Sequence, residues 1–486
     1  MTSSNFPGNS PACTPTPPAV YHIAHGPRGY ERYFGPTSLM SLLHNFDDLP
    51  LLQTTDNSSN SQAKMTLTVT RAEPPVPVAA AATRENPGPL TDAAERVRRL
   101  VSVHRERQAA RDISKIDGRV MVKEPSMLIL VALVDPYFQL CNPHLPIWTR
   151  AGFRKLLDAA QENTGAPQST SLTFAMCANN LVLLTLTAMA LHGQATGGSS
   201  RASNGTIDVE VIQSYIENAS RAMLHIGQLL EPRLVNVQAL LSLCAVAQVC
   251  LPEEVFSLAL TLANQVAKSM GLHQSQGWSS NMSPEEAEER RNVLYCLYCL
   301  DKAVSWNHGS APSVGSTAGF LAGLAGTQQG LSDAVSSGGD GSGSSALYMS
   351  ARFALAQIDD NLYTSLYGPD AAAATQGFEG YFSKINLEGF EARLRHWRKL
   401  YDFHNDTGGG NHISFADDGD GNRLSHVSRL DLEVSYSLTR MQLLSRFVED
   451  PEVCSALLDN ARSCLVSLQR LWAATSDPGH CFSFAR

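Results

Sequence analysis

Residues 283–306 constrain the fold more than any other stretch of the chain. Ser283 stands at a helix N-cap position, Pro284 at the first helical position, and Glu285 and Glu286 in the first turn. Carboxylates there favour the positive end of the helix dipole, and a Ser with Glu three residues on is a capping-box pattern. The interior that follows, Val293-Leu294-Tyr295-Cys296-Leu297-Tyr298-Cys299-Leu300, is apolar nearly all the way round. A helix without a polar face must be buried against several neighbours, so a central helix of a multi-helix assembly is expected. A length of 486 residues with 43% hydrophobic content is enough for a large core.

The rest of the chain after Lys123 follows the same period. Clear helical blocks are expected at 218–230, 235–250 and 253–270, with later ones at 347–367, 424–447 and 451–472. In the third block Val255, Phe256, Leu258, Ala259, Leu262, Ala263, Val266 and Ala267 form a broad apolar stripe, and Gly271 sits where a left-handed C-cap belongs. Short alternating runs bounded by turns, the mark of strands, are missing from this part, and no repeat of fixed period occurs. The fold class expected is all-α, a compact multi-helix domain.

Composition sets the boundaries. Residues 1–90 are rich in Ser, Thr, Asn, Pro and Ala and read as a mostly disordered linker. A short motif at 30–46 stands out within it. There Arg32-Tyr33-Phe34-Gly35-Pro36 leads through Thr37 and Ser38 into the apolar Leu39-Met40-Ser41-Leu42-Leu43. Residues 91–123 read as a basic helical lead-in, capped by Thr91 or Asp92, with Val97, Leu100, Val101 and His104 at helical spacing. Nine Lys or Arg against three acids between Arg96 and Lys123 fit a solvated helix face, or a nuclear-import or DNA-proximal segment. Residues 124–486 form the main domain, interrupted by Gly-rich loops expected to be flexible at 315–345 and 406–422.

A formal net charge of −9 and a pI near 5.9 argue against holding nucleic acid on a broad basic surface. Ten scattered cysteines do not make a disulfide scaffold and suit a reducing compartment. The N-terminus lacks the basic start and apolar run of a signal peptide. The apolar runs 127–134 and 181–191 are shorter than the roughly 20 residues of a spanning helix, so a soluble chain with no membrane partner is expected.

Sequence patterns that could carry chemistry each have a plainer explanation. Cys296 and Cys299 have metal-like spacing but lie in an apolar helix with no second ligand pair nearby. The acidic run Asp417-Asp418-Gly419-Asp420-Gly421-Asn422 puts Arg423 and Arg429 where a calcium loop needs glycine and glutamate. Asp359 and Asp360 resemble a metal-binding carboxylate pair of helical cyclases, with no second motif downstream. His144, His225 and His273 have no nucleophile or carboxylate near them in sequence. Phosphate loops, dinucleotide fingerprints and nucleophile elbows do not occur. No catalytic or metal-binding residue is therefore assigned, no cofactor is named, and an enzyme is not expected.

Four segments, in order, resemble a known family. They are 135–153 (DPYFQLCNPHLPIWTRAGF), Val237-Gln238-Ala239-Leu240-Leu241, Ala267-Lys268-Ser269-Met270-Gly271-Leu272-His273, and Glu286-Ala287-Glu288-Glu289-Arg290-Arg291 with Leu297-Tyr298-Cys299-Leu300-Asp301-Lys302. Together they are similar to the fungal-specific transcription factor domain, the middle homology region of zinc-cluster transcription factors. The likeness covers about 125–315 well and extends more loosely to about 400, while the 30–46 motif looks like that family's linker. No six-cysteine cluster accompanies it here.

The resemblance implies a regulator of fungal gene expression in the nucleus, serving a metabolic or secondary-metabolite gene cluster. It implies contact with DNA through a partner or through a zinc cluster upstream of Met1, pairing with other transcription factors or with itself, and a small-molecule effector between helices. The alternative is an adaptor that pairs with a full-length factor without touching DNA. Tyr137, Phe138, Pro143, Pro146 and Phe153 have a structural reading as a helix, a rigid turn and a second helix. Arg290, Arg291, Asp301 and Lys302 are expected to meet helix-end carbonyls and neighbouring carboxylates.

Overall fold

The computed structural model describes residues 22–25, 31–34, 67–68, 122–162, 168–195, 209–273, 282–314, 342–367, 384–401, 423–447 and 450–475. Eleven α-helices occur among them. They are α1 (Met127–Leu140), α2 (Arg150–Glu162), α3 (Gln168–Ala195), α4 (Val209–Leu224), α5 (Leu234–Cys250), α6 (Glu253–Ser269), α7 (Pro284–His308), α8 (Ser342–Tyr367), α9 (Lys384–Leu400), α10 (Arg423–Leu444) and α11 (Pro451–Thr475). The fold is all-α, as its hydrophobic period demands.

Helix α3 lies against α1, α2, α4 and α5; α5 pairs with α6, and α10 with both α8 and α11. Its stretch Leu172–Met189 is apolar and long enough to cross a bilayer, longer than the short runs noted in the sequence, yet 83% of it is buried inside the fold. The residues that interrupt its apolar pattern align the neighbours. Asn179 Oδ1 accepts from Asn218 of α4 (2.8 Å), Asn180 donates to Ser242 of α5 (3.0 Å), and Thr173 donates to Asn236 of α5 (2.9 Å). Buried amides left unpaired would each be costly, so this row fixes which faces meet. Asn218 also closes both backbone polar groups of Lys123, where the basic lead-in ends, at 2.8 and 2.7 Å.

Helix ends follow the sequence closely where capping chemistry is present. Gly271 has φ 67° and donates to Lys268 O (2.9 Å), while the buried Leu272 donates to Ala267 O (3.0 Å), a Schellman end to α6. Ser283 Oγ accepts from the Glu286 amide at 3.2 Å. The Glu286 carboxylate pairs with Arg290 at 3.1 Å, while the Glu285 carboxylate meets the Ser283 side chain. The Glu285 carboxyl is held below its usual range by its own backbone N–H and by Ser283.

Two boundaries differ from expectation. Helix α8 begins at Ser342, so Ser342-Gly343-Ser344-Ser345, read as part of a flexible loop, is helical. Low local propensity is overridden by the packing of the helix it extends. The 218–230 block is split, α4 ending at Leu224 before a 3₁₀ turn at Ile226–Leu229. Residues 315–341, 406–422 and 91–121 lie outside the described residues, as does the apolar part of the 30–46 motif. Apart from this domain, the N-terminal segment contains an antiparallel sheet of β1 (His22–His25), β2 (Glu31–Phe34) and β3 (Leu67–Thr68) in the order β2-β1-β3. Strands of two to four residues leave no readable period, which is why no pattern in the sequence announces them.

Candidate functional site

The most heavily charged interior region lies where α7, α8 and the segment after α7 meet. Asp301 and Lys302 are adjacent and almost fully buried. Lys302 Nζ lies 2.7 Å from Asp360 Oδ1 of α8 and 3.6 Å from Asp301 Oδ2, donates to the Val314 carbonyl, and sits 4.9 Å from the Tyr298 ring. Asp301 accepts the amides of Ser313 (3.0 Å) and Val314 (2.9 Å), with Asn264 of α6 at 3.4 Å. Lys268 Nζ donates to Ser313 O at 2.8 Å. The pair therefore fastens backbone 313–314 to three helices. Burial pushes the Asp301 carboxyl up, opposed by the Val314 amide, the Lys302 ammonium and the Ser313 amide.

Beside this node lies a second one on α8 and α10. Tyr348 donates to Asp431 Oδ2 at 2.9 Å, and Thr439 donates to Asp359 Oδ1 at 2.6 Å. Arg352 is buried; desolvation disfavours its charge, but Asp431, Tyr348, Cys299 and Asp359 outweigh that and hold it above its usual range. Burial raises the Asp359 carboxyl to about 6, and Asp360 adds to the rise, against the Thr439 hydrogen bond and Arg352. Asp359 and Asp360, considered as a metal pair, turn to different partners, Thr439 and Lys302. Among the described residues no three His, Cys, Asp or Glu side chains converge as a metal site. Burial drives the Cys296 thiol well above its usual range and pushes Cys299 up to about 12, which makes both poor nucleophiles.

A carboxyl with a raised folded-state pKa binds protons more tightly folded than unfolded. Between about pH 4, the unfolded value, and about pH 6, Asp359 therefore makes stability fall as pH rises. Asn at 359 keeps an acceptor for Thr439 and removes the charge. Asp359→Asn should raise Tm at pH 7.5 by about 2–4 °C, a shift near 1 kcal/mol for a domain of this size. The gain should shrink as pH falls through about 6 and vanish only below about pH 4, as thermal melts across that range would show.

A third group joins α2, α5 and α7. Gln238 Nε2 donates to Ile147 O (3.1 Å) and to Glu289 Oε1 (3.0 Å), and Glu289 also accepts the Thr149 amide. Burial raises the Glu289 carboxyl, opposed by those two hydrogen bonds. Thr149 Oγ1 accepts from Gly152 (2.9 Å), capping α2. A Cβ on Gly152 would overlap the Glu289 carboxylate, so a larger residue there has to displace that side chain from its hydrogen bonds to Gln238 and Thr149. Gly152→Ala should destabilise by about 1–3 kcal/mol, the cost of overpacking, with recovery in Gly152→Ala/Glu289→Ala by chemical denaturation.

Of the residues singled out earlier, Tyr137, Phe138 and Phe153 are buried with Trp148, which contacts Tyr137 (5.5 Å) and Phe153 (5.3 Å) edge-on. Pro136, next to Tyr137, lies inside α1. His144 packs edge-on against Tyr348 at 4.8 Å. Arg290 pairs with Glu286 on its own helix, and Arg291 meets no carboxylate among the described residues. Sequence reasoning missed Arg352. An arginine four residues from Tyr348 and seven from Asp359, within an apolar stretch, was the available signal.

Residues 134–317 match the family described as the fungal specific transcription factor domain. This part of the chain is similar to that domain. The Gln238–Glu289 group and the Asp301–Lys302 pair with its anchored backbone fall within the domain, while Asp360 lies beyond it. The whole chain is 29% identical to transcription factor sphG of Aspergillus fumigatus, covering 58% of that protein. A stretch covering 37% of the chain is 26% identical to transcription factor oryO of Aspergillus oryzae, over 23% of that relative. Putative transcription factor phnE of Penicillium herquei is 24% identical over 62% of the chain and 32% of its own length. The chain thus spans little more than half of the sphG protein. No solved structure matches it.

Proposed function

We propose that this chain is a regulator of transcription that acts in the fungal nucleus through its helical domain, on the genes of a metabolic or secondary-metabolite cluster. The observation that carries this reading is the domain at 134–317 in a chain that aligns along its whole length with a named transcription factor. The interior supports a regulatory rather than a reactive role, since its charged side chains brace helices and backbone and its thiols are suppressed by burial. Contact with DNA is made through a zinc-cluster partner or a further part of the protein, since the net charge of −9 suits no broad phosphate-binding surface.

A second reading, an adaptor that pairs with a full-length zinc-cluster factor without contacting DNA, is favoured by the same charge and by the scattered cysteines. The test is chromatin occupancy of the tagged chain, with co-purifying proteins identified from the same nuclear extract. Promoter occupancy supports transcriptional regulation, and its loss on deletion of a co-purified zinc-cluster protein assigns the DNA contact to that partner. A zinc-cluster partner without promoter occupancy identifies the adaptor, and a chain found with neither overturns both readings.

A further inference from the structure

Helix α9 carries an electrostatic feature that no function above uses. Its C-terminal half exposes Arg393, Arg395, His396, Arg398 and Lys399, in a chain of net charge −9. The three arginines engage rings and a backbone carbonyl rather than carboxylates. Arg393 lies 5.4 Å from the Phe390 ring, Arg398 lies 5.3 Å from the Tyr436 ring, and Arg395 donates to Glu391 O. The Glu391 carboxylate is taken by Arg440 at 2.8 Å. The positive field of α9 is therefore directed at solvent.

Arg393 and His396 rim a groove of about 390 Å³ between α8 and α9, whose floor includes Ile358, Trp397 and Leu400. Leu400 is 42% exposed, so the apolar floor reaches the surface there. The floor is rigid. Trp397 donates to Ala351 O at 2.9 Å and stacks on Tyr436 with centroids 5.8 Å apart, and Tyr401 shares a 2.9 Å hydrogen bond with Ser350. A rigid apolar floor with a cationic rim is a preorganised receptor for a ligand that joins one large apolar group to several negative charges.

We propose that the α8–α9 groove binds an acidic peptide segment of a partner protein, with an aromatic or large aliphatic side chain seated on Trp397 and Leu400 and carboxylates on Arg393, His396 and Lys399. A nucleic-acid backbone would match the cations but leave the apolar floor uncovered, so the peptide fits both halves of the surface. The inference rests on this charge and apolar complementarity and stands apart from the transcriptional reading.

The test uses the full chain and a fluorescently labelled synthetic peptide, Asp-Asp-Phe-Asp-Asp-Leu-Asp-Asp, followed by anisotropy at low and high salt. Wild type should bind saturably, more weakly as salt rises. Arg393→Glu/His396→Glu and, separately, Ala392→Trp, which fills the groove, should each weaken binding by about tenfold or more while thermal melts stay unchanged. Absence of binding, or binding indifferent to Ala392→Trp, overturns the proposal. A labelled DNA duplex that binds more tightly than the peptide assigns the face to nucleic acid and likewise overturns it. Peptide binding that appears only after Asp417, Asp418 and Asp420 are changed to Asn makes the chain's own acidic segment the occupant and overturns the partner reading.

Discussion

Lys302→Met should destabilise the domain by about 3–5 kcal/mol, the range found when one partner of a buried ion pair is removed. Methionine matches the length of the lysine stem but supplies no charge, and among the described residues it leaves the buried Asp360 carboxylate with the long 3.5 Å contact from Tyr298. It also releases the Val314 carbonyl. Asp301, held by the Ser313 and Val314 amides, loses less. Lys302→Met/Asp360→Asn should therefore recover part of the loss. Chemical denaturation of the four proteins of that cycle gives the coupling energy, and a value near zero would show that Lys302 serves the Val314 carbonyl and not Asp360.

Trp148→Ala should cost a similar amount, about 3–5 kcal/mol, because it empties the largest fully buried side chain of the fold. Tyr137 and Phe153 both meet its ring edge-on, so the loss extends to the junction of α1 and α2. Its Nε1–H is buried without a hydrogen-bond acceptor. Trp148→Phe removes that unsatisfied donor and retains most of the volume, and it should stay within about 1.5 kcal/mol of wild type. Thermal melts of the two variants distinguish packing from polarity, and equal losses would mean that the indole is held by more than its volume.

Both residues were visible in the sequence only as members of a pattern. The 135–153 segment announced a helix, a turn and a helix, and it does form α1, the turn and α2. It did not announce that Glu289, more than a hundred residues on, would accept the Thr149 amide and crowd the space beside Gly152. Asp359-Asp360 looked like one paired site because the residues are neighbours in sequence. On a helix with 3.6 residues per turn adjacent side chains diverge by about 100°, and tertiary packing sent one to Thr439 and the other to Lys302. The basic character of α9 was readable from its composition, but the groove beside it requires α8.

What the sequence determined by itself was local. Apolar period set the helices, Ser283 and Pro284 set the start of α7, and Gly271 set the end of α6, because each depends on contacts within one or two turns. What only the tertiary structure decided was which charges meet. The partners of Lys302, Gln238 and Arg352 lie on other helices, and burial fixes both their pairing and the protonation of Asp359. Desolvation acts on a group only when the whole domain has closed around it, so no local pattern could reveal it.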